Sequence, residues 1–218
     1  MAEWGLLEGV PAEEVRELLS IARRRRFARN EVVFHRDDPG DSMHLIQKGR
    51  FAIRVMTPLG DVATIAVRRA GESFGEMALI AQEPRRSATV AALEEAETFA
   101  IYRAEFDRLR ASHPHVDEFL QRFLTSEIRT LNERLLEALY LPVDKRVRRR
   151  LLELADQYPD SDGVAVVALT QETIAELAGA SRATVNQILR DEEKRGTIEL
   201  LRGRTRVVDR ESLQKRAR

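Results

Sequence analysis

Thr170–Leu189, TQETIAELAGASRATVNQIL, reads as two short helices meeting at a tight turn. Ile174, Ala175, Leu177 and Ala178 form the apolar side of a first helix. Thr170 is placed to cap its N-terminus, and Gly179 can take the positive φ that closes it. Ser181 caps a second helix, in which Val185, Ile188 and Leu189 recur at steps of three and four and face inward. Arg182, Ala183, Asn186 and Gln187 are left pointing out. An exposed Arg and Gln at the opening of a helix suit a major groove, since Arg offers two parallel donors to guanine and Gln one donor and one acceptor to adenine. The pattern is that of a DNA-reading helix-turn-helix, with an ordinary helical hairpin as the alternative.

Downstream, Thr197–Leu201, Gly203 and Thr205–Asp209 read as a two-stranded wing beside the helix pair. Upstream, Pro142 ends a helical run predicted over His115–Tyr140, which makes Leu141–Asp144 a hinge and lets Lys145–Gln157 open the C-terminal domain. In the long helix Leu124, Ile128, Leu131, Leu135 and Ala138 alternate steps of four and three, the a/d seam of a coiled coil. A homodimer seam is expected there; a helix packed on its own domain is the alternative.

Before Tyr102 the hydrophobic period shortens. After a helix at Ala12–Ala22, glycines at 40, 49, 60, 71 and 75 punctuate short runs: Val32–Phe34, His44–Gln47, Phe51–Val55, Val62–Val67, Ala88–Ala92 and Thr98–Tyr102. Many short strands at regular spacing argue for a β-sandwich or barrel, with the jelly roll as its natural closed form. Arg103–Ala111 reads as a short helix broken by His113 and Pro114, and Arg23–Arg26 as a solvated helix end. The chain is therefore expected to be α+β, with domains at 1–114, 115–141 and 142–218.

The 218 residues, 43% hydrophobic and 33% charged, have the balance of a globular protein with room for two modest domains. No stretch approaches the roughly 20 apolar residues a bilayer demands, and no basic-then-apolar leader opens the chain, so a cytoplasmic location is expected. The absence of cysteine excludes thiolate-held iron–sulfur clusters, zinc fingers and cysteine nucleophiles. Formal charge is zero overall, yet residues 142–218 carry 16 Lys and Arg against 13 Asp and Glu, which puts the positive excess on the part with the helix pair. His35, His44, His113 and His115 lack the spacing of a metal site, and no Walker loop or Gly-x-Ser-x-Gly elbow is present. Neither a metal nor an enzyme activity is expected.

A second concentration of chemistry is FGEMALIAQEPRRSATV, Phe74–Val90. Gly75 and Glu76, followed by Met77 and Ala78, open what reads as one helical turn whose free N–H groups face an anion. Arg86 and Ser87 add a guanidinium fork and a hydroxyl, both phosphate partners, while Glu76 suits a sugar hydroxyl. A plain Arg86–Glu76 salt bridge is the alternative.

Taken in order, the glycine-punctuated barrel, GEMALIAQEPRRSA, the long helix and ASRATVNQIL resemble the cyclic AMP receptor protein branch of the Crp–Fnr transcription regulators along nearly the whole chain. The resemblance implies that Gly75 and Glu76 engage the ribose and loop and that Arg86 and Ser87 bind a cyclic phosphate. It places the base-contacting threonine at Leu131 and the partner subunit's polar residue at Asn132, and it puts Glu127 where many relatives have a basic residue. Leu131 lacks the hydroxyl that would meet an adenine amino group. In the second helix Arg182 matches the guanine-reading arginine, but Ala183 and Gln187 replace a glutamate and a basic residue, so the operator should differ. Thr170 and Thr184 are candidates for phosphate contact, with a local helix bond as the alternative for Thr184, and Ser181, the cap, belongs to the same DNA-facing set. What is implied is a homodimeric regulator, with cyclic AMP as effector rather than a bound cofactor, acting on a palindromic duplex together with RNA polymerase. The rivals are the same fold without a ligand, a nucleotide module docking a protein, and a metal-dependent cupin enzyme.

Overall fold

A computed structural model describes residues 3–58, 60–81, 84–158, 160–161 and 164–218. It divides into two compact units, Met1–Arg129 and Thr130–Arg218.

The first unit opens with a single 3-10 turn, Gly5–Leu7, and helix α1, Ala12–Ile21. Strands β1 Arg23–Phe27, β2 Val32–Phe34, β3 Ser42–Lys48, β4 Arg50–Met56, β5 Val62–Arg69 and β6 Ser73–Phe74 follow. A one-turn helix α2, Met77–Ile80, precedes β7 Thr89–Ala92 and β8 Ala96–Tyr102. Helix α3, Arg103–Ser112, then leads into α4, His115–Tyr140, which runs past the unit's boundary. Two four-stranded antiparallel sheets, ordered β1-β8-β3-β6 and β2-β7-β4-β5, build the jelly roll.

Strand β3 explains how the layers hold together. Its alternate residues face opposite ways, as any strand's must. Ile46 joins Phe27, Phe51, Phe74 and Val90 between the sheets, whereas Met43 and Leu45 join Trp4, Leu18, Ile101 and Phe106 beneath the helices. Both faces are therefore dry, each buried Phe or Leu contributing about 1.5–3 kcal/mol relative to exposure. Trp4 also fixes its indole by donating to the Ile46 carbonyl at 2.9 Å.

The Arg23–Arg26 run is a strand, not a helix end. It pairs residue for residue with β8, and Arg24 and Arg26 both reach Glu97 while only Phe27 is buried. A sheet edge covered in arginine discourages further strand pairing, and its polar face carries no hydrophobic alternation to read.

The second unit holds the end of α4, then α5 Val143–Gln157, β9 Asp160–Ser161, β10 Val164–Val167, α6 Gln171–Ala178, α7 Arg182–Lys194, β11 Ile198–Leu201, β12 Arg204–Val207 and α8 Arg210–Ala217. Val147, Leu151, Ile174, Val185, Leu189, Val207 and Leu213 form its buried core. The wing is larger than the expected hairpin, because β10 pairs with β12 and β9 with β10 to make a four-stranded sheet. Pro142 caps the start of α5 at φ −54°, and Glu137 of α4 takes Arg149 at 2.7 Å and also pairs with Arg150. From Ile128 onward the large apolar side chains of α4 stay open to solvent, with Ile128 59%, Leu131 52%, Leu135 58% and Leu139 63% exposed. Ala138 is exposed too, and Leu124 is half-buried.

Candidate anion cradle and DNA-reading surface

In the first unit the β6–α2 turn and the loop before β7 come together around Arg86. Gly75 has φ +90°, and a Cβ there would sit 2.9 Å from Arg86 Nη1 and 3.2 Å from the Ser42 carbonyl oxygen, so only glycine allows the approach. Arg86 is 5% exposed. Its Nη1 donates to the carbonyl oxygens of Ser42 (2.5 Å) and Gly75 (3.2 Å), and its Nη2 to Ser42 Oγ (3.1 Å). The guanidinium carbon lies 4.0 Å from the centre of the Phe34 ring, and Nε has no partner. Backbone bonds lace this segment to residues 37–40: Arg86 N donates to Asp38 O, Asp37 N to Arg86 O and Gly40 N to Pro84 O.

Arg86 pairs with Asp41 at 3.9 Å rather than with Glu76, so the plain salt bridge across the loop is not what the two residues make. Glu76 is 7% exposed and its Oε2 has no hydrogen-bond partner. Burial pushes the Glu76 carboxyl up from the ordinary range, partly offset by its own backbone hydrogen bond. A buried carboxyl with an unmatched oxygen is costly unless a donor meets it. The arrangement offers two neighbouring functions: a cation for an anion, and an acceptor for a hydroxyl. Met77 begins α2 and is exposed, Ala78 is buried, and Ser87 is exposed immediately after Arg86.

Sequence reasoning missed the floor of this cradle. His44 stacks on Phe74 (centroids 4.9 Å, planes 6° apart) and its Nδ1 lies 3.0 Å from Thr98 Oγ1. Burial, then the charges of Arg86 and Arg25, push the His44 pKa down to about 3, so the ring is neutral beneath the guanidinium. Phe34, Ser42 and Asp41 come from earlier strands and loops, and nothing near Phe74–Val90 in sequence signals them. Also unread was an ion pair between Arg68 of β5 and Glu127 of α4 at 2.7 Å, with the Arg68 guanidinium 5.1 Å from the centre of the Phe123 ring. Leu131 and Asn132 belong to the second unit, where both are exposed on α4.

In the second unit the helix pair forms as its capping residues dictate. Thr170 Oγ1 accepts from Thr173 N at 3.2 Å, Gly179 closes α6 at φ +58°, and Ser181 Oγ accepts from Thr184 N at 3.1 Å. Val185, Ile188 and Leu189 are buried, while Arg182, Ala183 and Gln187 are exposed. Asn186 departs from the expected outward position: it is half-buried and its Oδ1 accepts from Arg190 Nε at 3.2 Å. Thr184 is half-buried with its hydroxyl 2.8 Å from Ser181 Oγ, and Gln187 Nε2 donates to Asp191 at 3.2 Å. A cleft of about 370 Å³ lies beside Arg182, lined by Thr170, Gln171, Gly203 and Arg204. Behind the helix, the wholly buried Glu192 receives Arg148 (2.9 Å), Arg216 (3.0 Å) and Thr197 Oγ1 (2.9 Å) and so ties α7 to α5, α8 and the turn that precedes β11.

Two family models match this chain: the cyclic nucleotide-binding domain over residues 24–113 and the Crp-like helix-turn-helix domain over residues 145–216. The CRP-like cAMP-activated global transcriptional regulator of Mycobacterium tuberculosis is 31% identical, with the alignment covering 100% of this chain and 98% of that protein. The chain belongs to the Crp–Fnr family of transcription regulators. Another member, the cyclic AMP receptor protein of Thermus thermophilus, is 30% identical over 93% of this chain and 91% of its own length. Among solved structures, the Thermus thermophilus catabolite activator protein covers 97% of both chains at a TM-score of 0.55 and 29% identity. The c-di-GMP-responsive global regulator CLP of Xanthomonas campestris superposes at a TM-score of 0.78 over 90% of this chain and 99% of its own, at 18% identity, a likeness of fold. As a Crp–Fnr member the chain is a DNA-binding transcription regulator with a cyclic nucleotide-binding domain, not an enzyme. Among the described residues no helix is long and apolar enough to cross a membrane.

Proposed function

We propose that this regulator is a homodimer switched by cyclic AMP. The observation that carries the reading is the cradle: a buried Arg86 and, beside it, a buried Glu76 with an unmatched oxygen, the pair of functions a cyclic phosphate and its ribose require. Arg86 and the exposed Ser87 take the phosphate, and Gly75, Glu76 and the turn at Met77–Ala78 hold the sugar side. The exposed Ile128, Leu131, Leu135 and Ala138 stripe suits a two-helix seam between copies, with Leu131 and Asn132 near the ligand across it. Arg182, Ala183 and Gln187 read base edges, Thr170 and Thr184 meet phosphates beside the Ser181 cap, and a two-fold dimer reads a palindrome in successive major grooves about 34 Å apart. Such a protein works in the cytoplasm alongside RNA polymerase. The relatives' names support the choice of cyclic AMP over other nucleotides.

Calorimetric titration of the purified chain with cyclic AMP tests this. Saturable binding at one site per protomer is expected, and no heat or thermal shift with any cyclic nucleotide overturns it. One observation favours a second reading, ligand independence: both terminal nitrogens of the Arg86 guanidinium donate within the protein, to Ser42 and Gly75, which suits a structural role for the side chain. The same titration separates the two.

A further inference from the structure

Resting on the base-reading assignment of α7, we propose that Asp191 is a positioning residue that makes Gln187 specific for adenine by holding one of its amide N–H groups. One turn beyond Gln187, both Asp191 oxygens accept from Nε2, Oδ1 at 3.2 Å and Oδ2 at 3.3 Å. A carboxylate accepts and does not donate, so the amide end it holds is the nitrogen, and Oε1 is turned away. Seen from Nε2 the two oxygens of one carboxylate lie close together, whereas the two N–H bonds of a planar amide diverge. A single N–H therefore points between them, and the other stays beside Oε1. Asp191 is steadied in turn by Lys194, whose Nζ lies 3.6 Å from Oδ1.

What remains on Gln187 is one donor next to one acceptor. In a duplex, adenine shows N7 as an acceptor and its N6 amino group as a donor in the major groove, and that edge uses both. Guanine's N1–H is consumed by pairing with cytosine, so its groove edge shows two acceptors, O6 and N7. A free amide nitrogen can offer its two N–H groups to those two acceptors. With one N–H committed to Asp191 that mode is closed, and Oε1 is left facing an acceptor. The neighbouring amide does not substitute, because Asn186 is half-buried and its Oδ1 accepts from Arg190 Nε at 3.2 Å. A carboxylate on this face also repels phosphate, so Asp191 works against DNA of any sequence while sharpening the choice at one base pair. An i, i+4 bond that only stiffened the helix would leave base choice alone.

The test is to sequence the duplexes that the full-length wild type, Gln187→Ala, Asp191→Ala and Asp191→Asn retain from a randomised palindromic library, with and without cyclic AMP. The position at which Gln187→Ala erases a preference is the one Gln187 reads. There the wild type should favour adenine over guanine by about tenfold or more, the scale of one bidentate contact made or lost. Asp191→Ala should cut that ratio about fivefold at this position alone and, with a negative charge gone, hold random duplexes no more weakly. Asp191→Asn keeps an acceptor oxygen without the charge and should retain more of the ratio than alanine does. A ratio in Asp191→Ala within about twofold of the wild type overturns the proposal, as does a wild-type preference for guanine. An asparagine no better than alanine overturns it too, by assigning the effect to charge rather than to the held N–H. If Gln187→Ala erases no preference anywhere, the base-reading assignment beneath the proposal fails, a result distinct from those.

Discussion

The two halves of this regulator handle their candidate site arginines in opposite ways. Arg86 is buried, packed on Phe34 and held by Ser42 and Gly75, whereas Arg182 stands exposed at the first turn of α7 with Ala183 beside it. A site for one small anion gains from a dry, fixed surround, because a guanidinium held in place in low dielectric interacts strongly without reorganising. A surface for a polyanion needs its charges in water, free to lie along phosphates and base edges. In the second unit burial is kept for the groups that aim the surface, Glu192 above all.

That contrast can be broken at four points. The largest effect is expected at Glu192, where Glu192→Ala leaves Arg148 short of a partner in the core and should cost about 3–5 kcal/mol of stability. Chemical denaturation checks it, and a loss under about 1 kcal/mol would show that the cluster aims nothing. Next, Arg86→Ala should weaken cyclic AMP binding by about 100-fold or more, since two charge-assisted hydrogen bonds go at once, while weak DNA binding persists. Unchanged nucleotide affinity would remove the phosphate assignment. Arg182→Ala should cost about 1–3 kcal/mol per half-site and relax the choice at one base pair. Equal losses on random duplexes would contradict base reading.

The fourth effect is spread along the acid limb. His44 has its folded pKa depressed to about 3 against 6.5 in the unfolded chain, so between those values the unfolded state binds the extra proton. The contribution of neutral His44 is complete above pH 6.5 and falls by about 1.4 kcal/mol per pH unit as pH drops toward 3. His44→Gln should flatten that limb in pH-dependent denaturation; an unchanged slope would place the acid sensitivity elsewhere.

The difference between the halves also explains what was legible in the sequence. The helix pair was readable because its capping residues, Thr170, Gly179 and Ser181, and its inward trio, Val185, Ile188 and Leu189, are local, and each took the expected place. The same holds for α4, whose bounds follow from the Pro114 and Pro142 interruptions. The cradle was half readable: Gly75, Glu76 and Arg86 lie within eleven residues of one another, while Phe34, Ser42, His44 and Thr98 reach it only through sheet pairing. β1 was hidden because four arginines mask a strand whose only buried residue is Phe27. β10, short and continuously apolar, gave no period to separate it from the neighbouring helices, and α8 is polar nearly all round. Gln187 shows the limit of outward-facing patterns, since exposure was foreseen and its bond to Asp191 was not.

The central claim is that filling the buried cradle changes how tightly the exposed helices hold DNA. Fluorescence anisotropy of a labelled palindromic operator, titrated with the full chain at fixed salt with and without saturating cyclic AMP, measures it directly. Affinity should rise about 5- to 150-fold with the nucleotide, the range of a coupling of about 1–3 kcal/mol. Identical curves in the two titrations would contradict the account.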